Sequence, residues 1–532
     1  MPSDLALTAI LAVVVLLLVA AQATRIPYPI LLVIGGLGLG AVPPIPDIEL
    51  DPELVLVVIL PPLLYSAAYF TPLRELRRNV RPISLLAIGL VLATMLGVAV
   101  VAHAALELGW AEAFVLGAIV SPTDPVAATS IARRLKAPGR IVTVVEGESL
   151  INDGTALVAY KFAVAAVVTG SFSLLEAGGD FVVNVVGGIA IGIAAGAVIA
   201  FVRRRIDAPA VEVTIALFSG YFAYLPAEAA GVSGVLAAVT VGIYMGRLTS
   251  VLTSPTTRIQ GNAVWEIVQV LLNSALFVLV GLQLPAVLEG IDQLATGEIL
   301  LDGALIAGSV MAIRLLWVFP FTYLPRLLLP RVRRNDPYPP WRHTLIVAWT
   351  GMRGAVSLAA ALALPLVTDA GAQLPNRNLI IFCTFSVILA TLLVQGLTLP
   401  PLIQLLGVDD VDETLEREEV QARLRAAEAA LARLEDLAGE GWVREDTAER
   451  LRGAYGYRHR RFSARVGDGG GGDGEDEVDY EERSESYQRL TRELLEAQRE
   501  TLITMRDGGE INDDALRVLE RELDLEDSRL EI

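Results

Sequence analysis

Apolar stretches of 18 or more residues recur along this chain from residue 5 to about residue 406. A run of that length is what an α-helix needs to cross a hydrocarbon layer about 30 Å thick. So many in succession make the chain an all-α polytopic membrane protein. Of its 532 residues 54% are hydrophobic, and mean hydropathy is +0.55. Single-span and secretory readings fail, because the runs continue far beyond the first, which could act as an uncleaved targeting signal.

Thirteen spans are expected, at about 5–22, 26–42, 54–70, 83–105, 111–132, 141–169, 180–202, 209–225, 231–246, 262–284, 299–325, 343–365 and 377–400. The connecting loops test that count. Loop 71–82 holds Arg74, Arg77, Arg78 and Arg81, and loop 133–140 holds Arg133, Arg134, Lys136 and Arg140. Arg203 to Arg205, then Arg247 and Arg258, then Arg326, Arg331, Arg333, Arg334 and Arg342 continue the series, while the intervening loops carry no Lys or Arg. Basic loops on alternate sides, read by the positive-inside rule, put the N-terminus outside a plasma membrane and the C-terminus in the cytoplasm.

The formal net charge of −18 is concentrated after residue 407. Residues 408–532 carry 36 Asp and Glu against 19 Arg, with no Lys. A membrane domain over 1–407 is therefore expected, followed by an acidic cytoplasmic tail over 408–532. Such a tail would repel nucleic acid and anionic headgroups. Segments 411–438 and 482–506 have helical spacing, with a Gly- and Asp-rich flexible linker expected at 466–479. The tail is either a solvated helical appendage or a regulatory or assembly domain. Cys383 is the only cysteine, so no intrachain disulfide is possible. His103, His343 and His459 are scattered, which argues against an enzyme, and no cofactor is expected. His103 and His343, near span ends, read as interfacial.

The ionisable residues inside the spans are few. The stretch EGESLINDG, residues 146–154, places Glu146, Glu148 and Asp153 in one apolar run, and SPTDP places Asp124 in the preceding span. Counted from the span ends, Asp124 and Asp153 both lie roughly 13–18 Å deep, close to the bilayer midplane. Carboxylates at that depth are costly and mark cavities and pathways; the bland alternative is that they pair as helix-to-helix glue. Pro122 and Pro125 each remove an amide donor, so the helix should open and expose carbonyls of Ser121–Thr123. Unwound backbone at the midplane is tolerated where it is buried or lines water, and freed carbonyls there can hold a cation. Asp124, Asp153, Ser149, Thr123 and backbone carbonyls form an all-oxygen set that suits a hard monovalent cation.

Ser149 and Asp153 share a helix face, with Asn152 adjoining it. Glu148 points about 100° away from Ser149 and needs its own partner. Arg314 and Arg353 are both available. Glycines 351 and 354 around Arg353 suggest a second broken helix opposite the first. Lys161 is either a counter-charge to Asp153 or a snorkelling surface residue. Glu266, Asn273 and Gln283 read as helix-to-helix polar contacts, with Glu266 a possible additional proton group. Pro61, Pro62 and the glycines of IGGLGLG (34–40) read as kinks and close packing.

Taken together, TDPVAATS (123–130), EGESLINDG (146–154) and GMRGAVSLAAAL (351–362) resemble the monovalent cation:proton antiporter family. The similarity is greatest to the NhaP-type sodium–proton antiporters and their animal sodium–hydrogen exchanger relatives, and it covers residues 5 to about 405. The resemblance implies two inverted repeats, crossed broken helices and a homodimer. It implies that Asp153 binds the cation, with Asn152 as its partner and Thr123, Asp124 and Ser149 as further ligands. It pairs Glu148 with Arg314 as a structural ion pair and puts Arg353 in the second broken helix. An Asn-Asp pair in place of Asp-Asp implies electroneutral exchange. Relatives often carry an acid in LPPLLYSAAYF (60–70), where this chain has Ser66.

The expected function is exchange of Na+ or Li+ for H+, serving pH and sodium homeostasis, with cation and proton competing for Asp153. A potassium–proton antiporter uses the same scaffold. A cation channel would call for a repeated filter element, which the sequence lacks, and a receptor would leave the paired acids without a role.

Overall fold

The apolar runs fold as helices. The computed structural model describes residues 3–24, 27–40, 54–170, 174–289, 296–369, 371–408, 413–440, 442–467, 475–508, 510 and 513–528. Two compact units are present, Met1–Asp410 and Val411–Ile532. The first contains α1 (Ser3–Ala23), α2 (Tyr28–Gly40), α3 (Leu60–Phe70, entered through a π-helical turn at Leu54–Ile59), α4 (Val80–Ala105), α5 (Trp110–Val120), α6 (Pro125–Arg134), α7 (Gly139–Thr169), α8 (Leu174–Arg203) and α9 (Pro209–Ala229). It continues with α10 (Gly234–Leu252), α11 (Pro255–Leu282), α12 (Thr296–Leu328), α13 (Trp341–Trp349), α14 (Ala355–Leu362) and α15 (Arg377–Leu406). Each of the thirteen expected segments holds a helix or, at α5–α6 and α13–α14, a pair of half-helices. Among the described residues nine helical spans, α5–α6 taken together, are long and apolar enough to cross a membrane, and α2 is a shorter apolar helix.

Proline and glycine decide the local irregularities. Pro62 has no N–H to give the Val58 carbonyl, four residues back. The Tyr221 hydroxyl on α9 donates to that carbonyl instead, tying α3 to α9. A π-helical turn at Leu85–Leu90 in α4 is met in the same way: Trp317 Nε1 donates to the Leu85 carbonyl at 3.2 Å. Helices α2 and α11 touch backbone to backbone. A Cβ on Gly281 would lie 2.7 Å from Leu37 N and 2.8 Å from the Gly36 carbonyl carbon. Small residues permit this approach between helices that water cannot press together.

Burial places the broken span at the centre. In its most apolar window 72% of α5–α6 is buried, against 28% for α8, which shows its apolar residues outward. One large apolar cluster joins α2, α4–α7, α11, α12, α14 and α15, and a smaller one around Tyr65, Met245 and Trp265 joins α3 and α8–α11. Arg203, counted above as a loop charge, ends α8 with its guanidinium buried, 3.1 Å from Glu212 of α9 and 3.3 Å from the Thr253 hydroxyl.

The second unit contains α16 (Glu413–Ala438), α17 (Glu445–Gly467), α18 (Glu475–Asp507) and α19 (Asp513–Ser528). Helices α16 and α17 pack together, as do α18 and α19, around buried apolar residues such as Ala427, Ala448 and Leu495. The expected linker is narrower than 466–479: residues 466–467 end α17 and 475–479 begin α18, while 468–474 lie outside the described residues.

Gly281→Ala should destabilise the protein by about 1–3 kcal/mol, because the added methyl meets backbone that cannot move aside. A melting curve of the purified protein should show this loss, whereas Gly38→Ala, inside the same α2 with open space around it, should not lower the curve.

Candidate functional site

The first break follows from SPTDP. Pro122 cannot donate to the Ala118 carbonyl, and the Ser121 hydroxyl lies 2.9 Å from both the Gly117 and Ala118 oxygens and serves in its place. Pro125 opens α6, a position where its missing N–H costs nothing. Asp124 is the N-cap: its Oδ1 accepts from Val126 N–H at 2.9 Å. In an unbroken helix the Asp124 N–H would bond the Val120 carbonyl. Here it donates to the Met352 carbonyl at 2.8 Å, inside the second break.

That second break spans residues 350–354. The Val120 carbonyl left open by Asp124 accepts from Arg353 Nε at 3.0 Å. The two breaks thus satisfy each other. Arg353 Nη1 donates to the Gly351 carbonyl, and its backbone N–H donates to the Thr391 hydroxyl at 3.1 Å. Arg353 is fully buried, and its Nη2 has no hydrogen-bond partner among the described residues. A Cβ on Gly354 would land on the Asp124 carboxylate, so only glycine admits this contact. The Asp124 carboxylate therefore lies against the start of α14 as well as that of α6, and helix N-termini favour negative charge.

Helix α7 supplies the third wall. Ser149 Oγ donates to the Thr123 carbonyl at 2.7 Å, and Asn152 Nδ2 donates to Thr123 Oγ1 at 2.7 Å. Thr123 Oγ1 in turn donates to Glu148 Oε1 at 3.3 Å. Asn152 Oδ1 is buried with no partner, and Asp153, 8% exposed, has no hydrogen-bond or ion-pair partner among the described residues. Glu148 is taken by Arg314 of α12 through both oxygens, at 2.8 Å for Nη2–Oε2. Arg314 Nη2 and Nε also donate to the Val347 carbonyl at 3.0 and 3.3 Å. That carbonyl is an orphan at the end of α13, where a cation is favoured.

The structure thus brings Thr123, Asp124, Glu148, Ser149, Asn152, Arg314 and Arg353 into one network, with Asp153 on its edge. Other residues lie apart from it. Glu146 pairs with Arg133 at 2.6 Å and Lys161 with Glu228 at 3.1 Å, both partly exposed. Ser66 donates to the Leu63 carbonyl of its own helix. Glu266 is exposed, whereas Asn273 and Gln283 are buried. His103 stacks on Trp110, and Cys383 is a buried free thiol. Thr391 and the Val120 and Met352 carbonyls escaped the sequence reading: a threonine in an apolar span and a backbone oxygen carry no signal until two helices meet. Among the described residues, the oxygens that remain open for a ligand are Asn152 Oδ1, the second oxygen of Asp124 and the Asp153 carboxylate. Such a set can take a hard cation or a proton.

Residues 9–405 match the family model described as sodium/hydrogen exchanger, transmembrane. The chain belongs to that family. It is 37% identical to an uncharacterised Na+/H+ exchanger of Mycobacterium tuberculosis, over 98% of this chain and 95% of the relative. It is 36% identical to the Na+/H+ antiporter ApNhaP of Aphanothece halophytica, over 77% of this chain and 75% of that protein. Among solved structures it resembles the sodium proton antiporter MjNhaP1 of Methanocaldococcus jannaschii, with a TM-score of 0.59, 21% identity, and 76% of this chain covering 100% of that one. The sodium/hydrogen exchanger fold is therefore shared, and the chain is a monovalent cation/proton antiporter, a secondary transporter and not an enzyme.

In this exchanger the Glu148–Arg314 pair should be structural. Glu148→Gln leaves a guanidinium buried without its counter-charge and should cost about 3–5 kcal/mol. The double variant Glu148→Gln/Arg314→Gln should melt higher than the sum of the two single losses, as read by thermal unfolding of the four proteins in a cycle.

Proposed function

We propose that this antiporter exchanges Na+ or Li+ for H+, one for one, at Asp153. The observation that carries the proposal is a buried carboxylate without a bonding partner among the described residues, next in sequence to Asn152 Oδ1, which likewise has none there, and beside the first break. Asp153 would hold either a cation or a proton, so the two compete at one group. Asn152 is an amide and does not titrate. One positive charge then crosses in each direction and the cycle moves no net charge. In this reading Asp124 contributes its remaining oxygen and Thr123 and Ser149 position the break, while no resident cofactor is required.

Sodium is the favoured ion, in keeping with relatives named Na+/H+ antiporters. Potassium is the second reading, because a 36%-identical Bacillus subtilis relative is named a sodium, potassium, lithium and rubidium/H+ antiporter. We further propose a homodimer in the plasma membrane, with the N-terminus outside, the acidic unit in the cytoplasm as a regulatory module, and a role in pH and sodium homeostasis. The alternating basic loops support that orientation.

Acid-loaded proteoliposomes should release protons when Na+ is added outside. The rate should not change when a membrane potential is imposed. Asp153→Asn should reduce the response to that of empty vesicles. Wild-type exchange by Asp153→Asn would refute the assignment of the site, and a rate that follows the imposed potential would refute electroneutrality.

A further inference from the structure

A second polar site lies outside the transport network. The start of α4, the start of α7, the end of α12 and the segment leading into α13 enclose a pocket of about 100 Å3. Three guanidinium groups converge on its single carboxylate, Asp336. Arg140 Nη2 lies 2.9 Å from Oδ1, Arg81 Nη1 lies 3.4 Å from Oδ2, and Arg326 also bonds Oδ2. Burial works to raise the Asp336 carboxyl, but hydrogen bonds from Arg326 and Arg140 outweigh it and hold it below the usual carboxylate range. It is therefore ionised at neutral pH, and these four groups carry two uncompensated positive charges. Arg81 Nη2 is buried with no hydrogen-bond partner among the described residues. An anion with several oxygens is what this cluster lacks.

The other wall of the pocket is apolar. Trp317 and Phe321 stack there with ring centroids 3.7 Å apart, next to Leu85 and Val144. From Leu85 toward the far end of α4, Ile88, Leu92 and Leu96 are exposed at four-residue spacing, one stripe on one helix face. A free anion would use the arginines and leave this wall bare. A lipid would use both.

We infer that this pocket binds an anionic phospholipid, its phosphate on Arg81 and Arg140 and its acyl chain along Trp317 and the α4 stripe. The site is placed to act on the transport network. Val144 precedes Glu148 by one turn of α7, and Val347, which lines the pocket, gives its carbonyl to Arg314. Lipid seated there braces the helices that hold the Glu148–Arg314 pair.

The test uses the full-length protein, stripped of lipid in detergent. Phosphatidylglycerol should raise its melting temperature saturably, and phosphatidylcholine should not. Arg81→Gln/Arg140→Gln should shift the half-saturating phosphatidylglycerol concentration by about tenfold or more. Arg334→Gln, an exposed arginine outside the pocket, should leave it unchanged. Should the double variant fail to fold, Arg140→Gln alone carries the test, since that side chain is 44% exposed. Equal stabilisation by phosphatidylcholine, or an unshifted response in the variant, would overturn the inference. So would an equal saturable shift from inorganic phosphate, which would make the site one for a soluble anion.

Discussion

Two helices interrupted inside an apolar bundle leave amides and carbonyls with no water to bond, and each such group costs several kcal/mol in hydrocarbon. The structure meets this cost by exchange. The bond that Asp124 N–H and the Val120 carbonyl would make within one helix is split between Met352 and Arg353 of the other. Neither break is sustainable without its counterpart. Arg353 suits this role better than a lysine would, because its fork reaches Val120 and Gly351 at once.

The rest of the site is arranged around that exchange. Arg314 bonds Glu148 and the end of α13, so α7 and α12 are fixed relative to the second break. Ser149 and Asn152 fix α7 relative to the first. Buried ion pairs add little net stability, but they hold a single geometry, because releasing either partner strands a charge. These contacts are saturated. Among the described residues of the site, the unbonded oxygens of α7 are on Asn152 itself and on Asp153, one residue beyond that anchor.

Much of this was legible in the sequence, for reasons that can be stated. The apolar runs, the proline pair of SPTDP and the glycines around Arg353 act through local rules, and local rules are written in local sequence. Pairings that depend on helix rotation were not legible. Nothing in the sequence ties Tyr221 to Val58, or Thr391 to Arg353, since any exposed face of either helix would satisfy the same periodicity. Arg203, Arg81, Arg140 and Arg326 were legible as charges and misread as loop residues alone. The positive-inside pattern counts charges by side of the membrane. It does not register that Arg203 turns inward to Glu212, or that the other three surround Asp336.

On the reading proposed for Asp153, this division between saturated and unsaturated groups has a functional consequence. A carboxylate fixed by several donors would have little use for either ion, because its lone pairs would already be occupied. A carboxylate alone in hydrocarbon would stay protonated and release nothing. Asp153 has no bonding partner among the described residues, and its neighbour in sequence carries an amide oxygen that can share a cation but cannot take its proton. The anchoring contacts around it occupy both oxygens of Glu148 and one oxygen of Asp124, so among the described residues of the site Asp153 is the carboxylate with both oxygens unbonded. Competition at a single carboxylate then requires no signal between distant sites. The coupling of cation to proton follows from there being one place for either to bind.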